Sequence, residues 1–233
     1  MNKKFKFVFS IILIMLVFNF LSIASSVDVN DTTEYITFGK YEQDNNKDNG
    51  KEDIEWRVID RQNGCLLLIS KYILDIQPFN VSHTYVTWAS STLKRFLNNT
   101  FLNQSFTAAE QGRIVEITHE NMNNPKFGIS GGAKTKDKIF VLSYDEAEKY
   151  FGPNGSDLTN KNAIALGTEY AKARGLFVNL SGLWCHGFSP YWLRTPGSYL
   201  TSAMTITESG EALYIGDGVH FFYGVRPVMW ILE

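Results

Sequence analysis

The sequence predicts an α+β protein in one domain, with short antiparallel strands at both ends and helices inserted between them. Three observations carry this reading. Apolar side chains alternate with period two near the start, two Ser/Thr-x-x-Glu helix starts lie in the middle, and aromatic and β-branched runs broken by glycine turns close the chain. Residues 33–233 contain no internal repeat, low-complexity block or Pro/Ser-rich linker that would divide them.

Tyr35 to Tyr41 reads as the first strand. Ile54 to Asp60 reads as the second, because Ile54, Trp56, Val58 and Asp60 alternate with Glu55, Arg57 and Ile59. Asn63-Gly64 marks a tight turn into a third strand, Cys65 to Ser70, so an antiparallel meander is expected. Trp88, Leu93, Phe96 and Leu97 share one side of an amphipathic helix. Thr107 with Glu110, and Ser143 with Glu146, are capping boxes that open two further helices. Ile139 to Leu142 is a short buried-strand candidate, and Asn160 to Arg174, closed by Gly175, is a fourth helix. Tyr191 to Arg194 forms a strand running into Thr195-Pro196-Gly197. Ala203 to Thr207 and Ala212 to Ile215 flank a hairpin turn at Ser209-Gly210, and Val225 to Leu232 is the last strand, with Pro227 at a strand start or edge.

Charge excludes some functions. The 22 basic and 24 acidic residues give a net charge of −2, which argues against a nucleic-acid binder. Lys3, Lys4 and Lys6 precede an apolar run from Phe7 to Leu21, and small residues follow at Ser22 to Ser26. Residues 1–26 therefore read as a secretory signal peptide, and an extracellular or cell-envelope location is expected. The run is shorter than the roughly 20 residues of a spanning helix, so membrane association is expected only if the segment stays uncleaved as an anchor. Its removal leaves 19 basic and 24 acidic residues. Export permits a disulfide between Cys65 and Cys185; a buried free thiol at Cys65 is the simpler expectation.

No metal or cofactor is expected. His83, His119, His186 and His220 are isolated in sequence, without zinc-ligand spacing. Asp44, Asn46, Asp48 and Gly50, with Glu55 twelfth from Asp44, resemble a calcium loop, but the glycine falls one place late, and a solvated hairpin loop is expected. There is no Gly-x-Ser-x-Gly elbow, and the run Gly128 to Gly132 lacks the strand-then-helix setting of a phosphate loop. Aromatic residues supply the main functional signal. Trp184, Phe188, Tyr191, Trp192 and Tyr199 gather within a stretch bearing glycine and serine, and Phe221, Phe222 and Tyr223 form a second group. Such side chains suit sugar or peptide recognition.

An ordered set of motifs runs along the chain. It comprises Phe38-Gly39-Lys40-Tyr41, Ile54 to Asp60, Leu66 to Tyr72, Thr87-Trp88, Leu97-Asn98, Asp145-Glu146-Ala147, Trp192 to Gly197 and Gly224-Val225-Arg226-Pro227. In these motifs the chain resembles a bacterial family of exported domains of unknown function, whose members usually carry Ser where Thr195 stands. The closing pattern also resembles the C-type-lectin-like fold shared with formylglycine-generating (sulfatase-modifying) domains. That second resemblance implies a compact α+β domain with paired terminal strands, binding loops, and buried structural arginines at Arg194 and Arg226 that bond loop carbonyls. Formylglycine-generating activity needs paired cysteines after the arginine strand, whereas Cys185 precedes it.

The expectation is therefore a secreted or cell-surface, non-enzymatic binding module for a glycan or surface protein. Trp184, His186, Tyr191, Trp192 and Tyr199 are its candidate contacts. The competing readings are an exported enzyme acting on proteins or cell-wall material through Cys185 and His186, and a membrane-tethered structural domain of the envelope.

Overall fold

Sheet outweighs helix in this α and β fold. The computed structural model describes residues 33–152, 161–181 and 186–233, so the predicted signal segment lies outside the described residues. Residues 34–233 cluster as one unit. Their first sheet has the order β1 (Tyr35–Tyr41), β2 (Glu52–Gln62), β3 (Cys65–Ser70), β12 (Val228–Leu232) and β5 (Ile114–Val115), and all its pairings are antiparallel. The predicted meander is present. Asn63 and Gly64 both have positive φ, 52° and 73°, the backbone of a two-residue hairpin whose twist matches its strands.

The second sheet has the order β10 (Ala212–Gly218), β9 (Ser202–Ile206), β8 (Tyr191–Pro196), β11 (Phe222–Val225) and β4 (Asp75–Pro78). Its pairings are antiparallel except β8 with β11. The stretch predicted as one closing strand divides between the two sheets at Arg226-Pro227. Pro227 has no N–H to continue a ladder, and Arg226 bridges the crossing by donating to the Ser70 and Ala163 carbonyls at 3.0 and 3.1 Å. A third, two-stranded sheet pairs β6 (Ile117–His119) with β7 (Thr135–Asp137).

The predicted amphipathic helix forms in pieces: a 3₁₀ turn at Trp88–Ser90, α1 (Thr92–Arg95), a π-helical turn at Phe96–Phe101, and α2 (Leu102–Ser105). Trp88, Leu93, Leu97 and Phe101 are buried and Phe96 is half-buried. Within the π turn, Asn98 accepts from the Lys138 and Ile139 amides and donates to the Ile139 carbonyl. That clamp explains why Ile139 to Leu142, buried as expected, is not a strand. Its backbone bonds to the Asn98 side chain, to the Arg194 amide and side chain, and to Val228 through a single bridge at Phe140.

Both capping boxes are complete, opening α3 (Ala108–Arg113) and α4 (Tyr144–Phe151). The fourth helix is shorter than predicted. Asn160 lies outside the described residues, and α5 spans only Glu169–Ala173, because Leu166 and Gly167 form bridges to Phe188 and Ile73 instead. Three fully buried tryptophans anchor the interior, each with its N–H bonded: Trp56 to the Phe38 carbonyl, Trp88 to Asp137 and Trp192 to the Gln77 carbonyl. Cys65, at the first position of β3, is a free, half-buried thiol, less enclosed than expected because it adjoins the turn. No helix among the described residues is long and apolar enough to cross a membrane.

Candidate binding site

Among the described residues, the predicted contacts divide between core and surface. Trp184 and Cys185 lie outside the described residues. Tyr191 and Trp192 are core residues, 2% and 0% exposed, and correct the expectation that they meet a ligand. The Tyr191 hydroxyl donates to the Ala163 carbonyl and accepts from Arg226, so its polar end is already bonded. His186 and Tyr199 are exposed but flank opposite ends of β8, whose six residues span about 20 Å. Proximity in sequence was misleading here because a buried strand separates the two loops.

An open groove of about 470 Å³ lies instead across the second sheet. Phe177 and Pro190, on either side of the stretch containing Trp184, border it, together with Phe221, Phe222 and Tyr223 from the start of β11. Phe177, Phe221 and Phe222 are 58%, 52% and 62% exposed, an arrangement a folded chain does not need for its own core. Thr205, Thr207 and Glu208 enter from β9 and the turn after it, and Leu213 and Asp217 from β10.

Local backbone geometry aims these groups. Trp192, Thr205 and Leu213 are successive cross-strand partners and share a face. The register of β10 then shifts between Leu213 and Asp217. Gly216 makes that bulge possible: its φ is +68°, and a Cβ there would meet the Ala203 carbonyl oxygen at 2.4 Å. Asp217 accepts a hydrogen bond from the Thr205 hydroxyl at 3.0 Å. The pKa of the Tyr223 hydroxyl is pushed up to about 12 by its burial and by the neighbouring Asp217, with Glu208 adding to the effect. Trp192, buried beside them on that face, packs its ring edge-on to Tyr223 at 4.9 Å and to Phe79 at 5.7 Å. The Phe221–Tyr223 group was visible in sequence; Glu208 and Asp217 were not, since only the bulge and turn bring them to it.

The two arginines named from sequence belong to the scaffold. Arg226 lies against the Tyr191 and Phe151 rings as well as its two carbonyls. Arg194 donates to the Val141 carbonyl at 2.9 Å and forms a two-pronged ion pair with Glu146. Thr195 accepts from the Tyr144 amide at 2.9 Å, so the Trp-Leu-Arg-Thr and Asp-Glu-Ala motifs interlock.

Other candidate features are less open to a ligand. A larger concavity, about 650 Å³, has its charges committed to neighbours. There Lys40 pairs with Asp53 at 2.7 Å, Lys51 bonds the Gln104 carbonyl, Arg113 bonds the Leu232 carbonyl, and Glu110 caps α3. Glu42 and Asp44 of the β1–β2 loop and Glu52 at the start of β2 bring carboxylates within 4.8 Å of one another. Glu55, the twelfth residue of the calcium-like run, pairs with Lys71 at 2.8 Å instead. Two histidines isolated in sequence, His83 and His220, come together with ring centroids 4.4 Å apart. Among the described residues no third metal-ligating side chain joins them.

Residues 63–232 match the family model described as Domain of unknown function (DUF6273), so the match begins at the β2–β3 turn and leaves β1 and β2 outside it. No curated protein and no solved structure matches the chain.

Proposed function

The chain belongs to the DUF6273 family, described only as a domain of unknown function, and from that premise we propose that it is an exported, non-enzymatic binding module whose groove holds a glycan. The observation that carries this is the group of exposed rings, Phe177, Phe221 and Phe222, beside a floor of hydroxyls and carboxylates. Sugar rings pair an apolar face with equatorial hydroxyls, so they match flat aromatic walls and a polar floor. The groove's volume falls within the range of small-ligand sites, and its concave form suits a chain of sugars better than the flat face of a protein.

Export rests on Lys3, Lys4, Lys6 and the apolar run that follows them. A C-type-lectin-like relationship is part of the same reading. It is supported by the last strand, β12, pairing with the early β3, and by the late loops carrying the groove. The enzyme alternative has only an exposed His186 beside Cys185 to draw on. The tethered alternative depends on the fate of residues 1–26, which N-terminal sequencing of the exported protein decides.

A glycan array probed with the exported protein tests the central claim. Retention of a glycan is expected, with Phe177→Ala or Phe222→Ala each weakening it by about tenfold, equivalent to about 1.4 kcal/mol. Melting temperatures should stay unchanged, because both rings are exposed. Retention of proteins but not glycans, or a glycan bound equally well by both variants, would overturn the assignment.

A further inference from the structure

We infer that the groove selects a sugar carrying a free primary ammonium over neutral or acidic glycans; this rests on the glycan reading above. Two carboxylates, Glu208 and Asp217, line the same concavity, and no Lys, Arg or His lines it with them. Among the described residues neither forms an ion pair. Their neighbours are neutral: the Asn179 amide donates to Glu208 at 3.3 Å, Thr205 donates to Asp217, and the Tyr223 hydroxyl lies near both acids.

The walls favour the same ligand. A cation near an aromatic face is attracted by the ring quadrupole, and the attraction grows as water is displaced. Phe177, Phe221 and Phe222 line the same groove as the acids and are exposed to it. An ammonium held there meets two negative charges from one side and ring faces from another, while its sugar ring keeps the stacking contact. A carboxylated or sulfated sugar would meet only repulsion. An N-acetylated sugar could stack but would leave both carboxylates without a counter-charge. The ammonium is thus the feature that uses rings and acids together.

The test compares glucosamine oligomers of equal length, fully N-acetylated or fully de-N-acetylated, binding to the full-length protein at low and high salt. The free-amine oligomer is expected to bind at least about tenfold more tightly at low salt, and the preference should shrink as salt screens the charges. Glu208→Gln and Asp217→Asn should each reduce that preference, weakening the free-amine oligomer by a larger factor than the acetylated one. Glu208→Gln keeps the test decisive if loss of the Asp217 bonds disturbs β10. Equal or tighter binding of the acetylated oligomer, still abolished by Phe222→Ala, overturns the ammonium inference and leaves the glycan groove standing. Binding of neither oligomer, with no glycan retained on an array, overturns both. An amine preference that persists in Glu208→Gln and Asp217→Asn also overturns the assignment of these acids.

Discussion

At the residue scale, Arg194 holds together parts of the chain that sequence reading kept apart. Its place as a buried, carbonyl-bonding arginine was implied by the fold resemblance of the closing motifs, and the bond to Val141 has that form. Its carboxylate partner was not legible, because Glu146 lies 48 residues away and already had a local role as a helix cap. The guanidinium is 4% exposed, so removing it strands a part-buried carboxylate. Arg194→Ala is therefore expected to lower the unfolding free energy by about 3–5 kcal/mol, read from urea denaturation. Arg194→Lys should recover only part of this, since an ammonium cannot reproduce the fork. A loss below about 1 kcal/mol, the scale of a surface pair, would show that the pair contributes little.

At the element scale, the features that depend on neighbours in sequence were readable, and those that depend on distant partners were not. The Asn63-Gly64 hairpin and both capping boxes needed only local residue types. Ile139 to Leu142 looked like a strand because it is apolar and buried, but Asn98 and Arg194 satisfy backbone groups that a ladder would otherwise have taken. Likewise Val225 to Leu232 is a continuous apolar run, divided by the single missing N–H of Pro227. The candidate site follows the same rule. Its aromatic half stood out in sequence at Phe221 to Tyr223, whereas Asp217 reaches the groove through the β10 bulge at Gly216, and β8 separates His186 from Tyr199. The two capping boxes allow a quantitative comparison. Glu110 serves its cap and the Gly39 amide, while Glu146 serves the Ser143 amide and Arg194 together. Thr107→Ala should cost about 1 kcal/mol and Ser143→Ala nearer 2, because loss of the second cap also loosens the ion pair. Urea midpoints for the two variants check this order; equal losses would mean the cap and the ion pair are uncoupled.

At the scale of the whole molecule, the same buried cluster makes stability depend on pH. His119 is buried against Phe140, with Nδ1 3.9 Å from Glu146 and with Arg194 close by. Burial, aided by the charge of Arg194, lowers its pKa from 6.5 to about 4. The unfolded chain therefore binds a proton between pH 6.5 and 4 that the folded chain refuses, so stability is full above pH 6.5 and declines as pH falls through that window. The decline from this one group amounts to at most about 3 kcal/mol. Glu146 works in the same direction: burial alone would raise its pKa, but Arg194 and the Ser143 amide outweigh that and hold it below 4.5. Its contribution is present above pH 4.5 and is lost as pH falls through the lowered value. Urea unfolding measured from pH 7.5 to 4 should thus show a steady loss, and His119→Leu, which keeps an apolar side chain against Phe140, should flatten the upper part of it. A variant with an unchanged slope between pH 6.5 and 4.5 would place the acid sensitivity elsewhere in the fold.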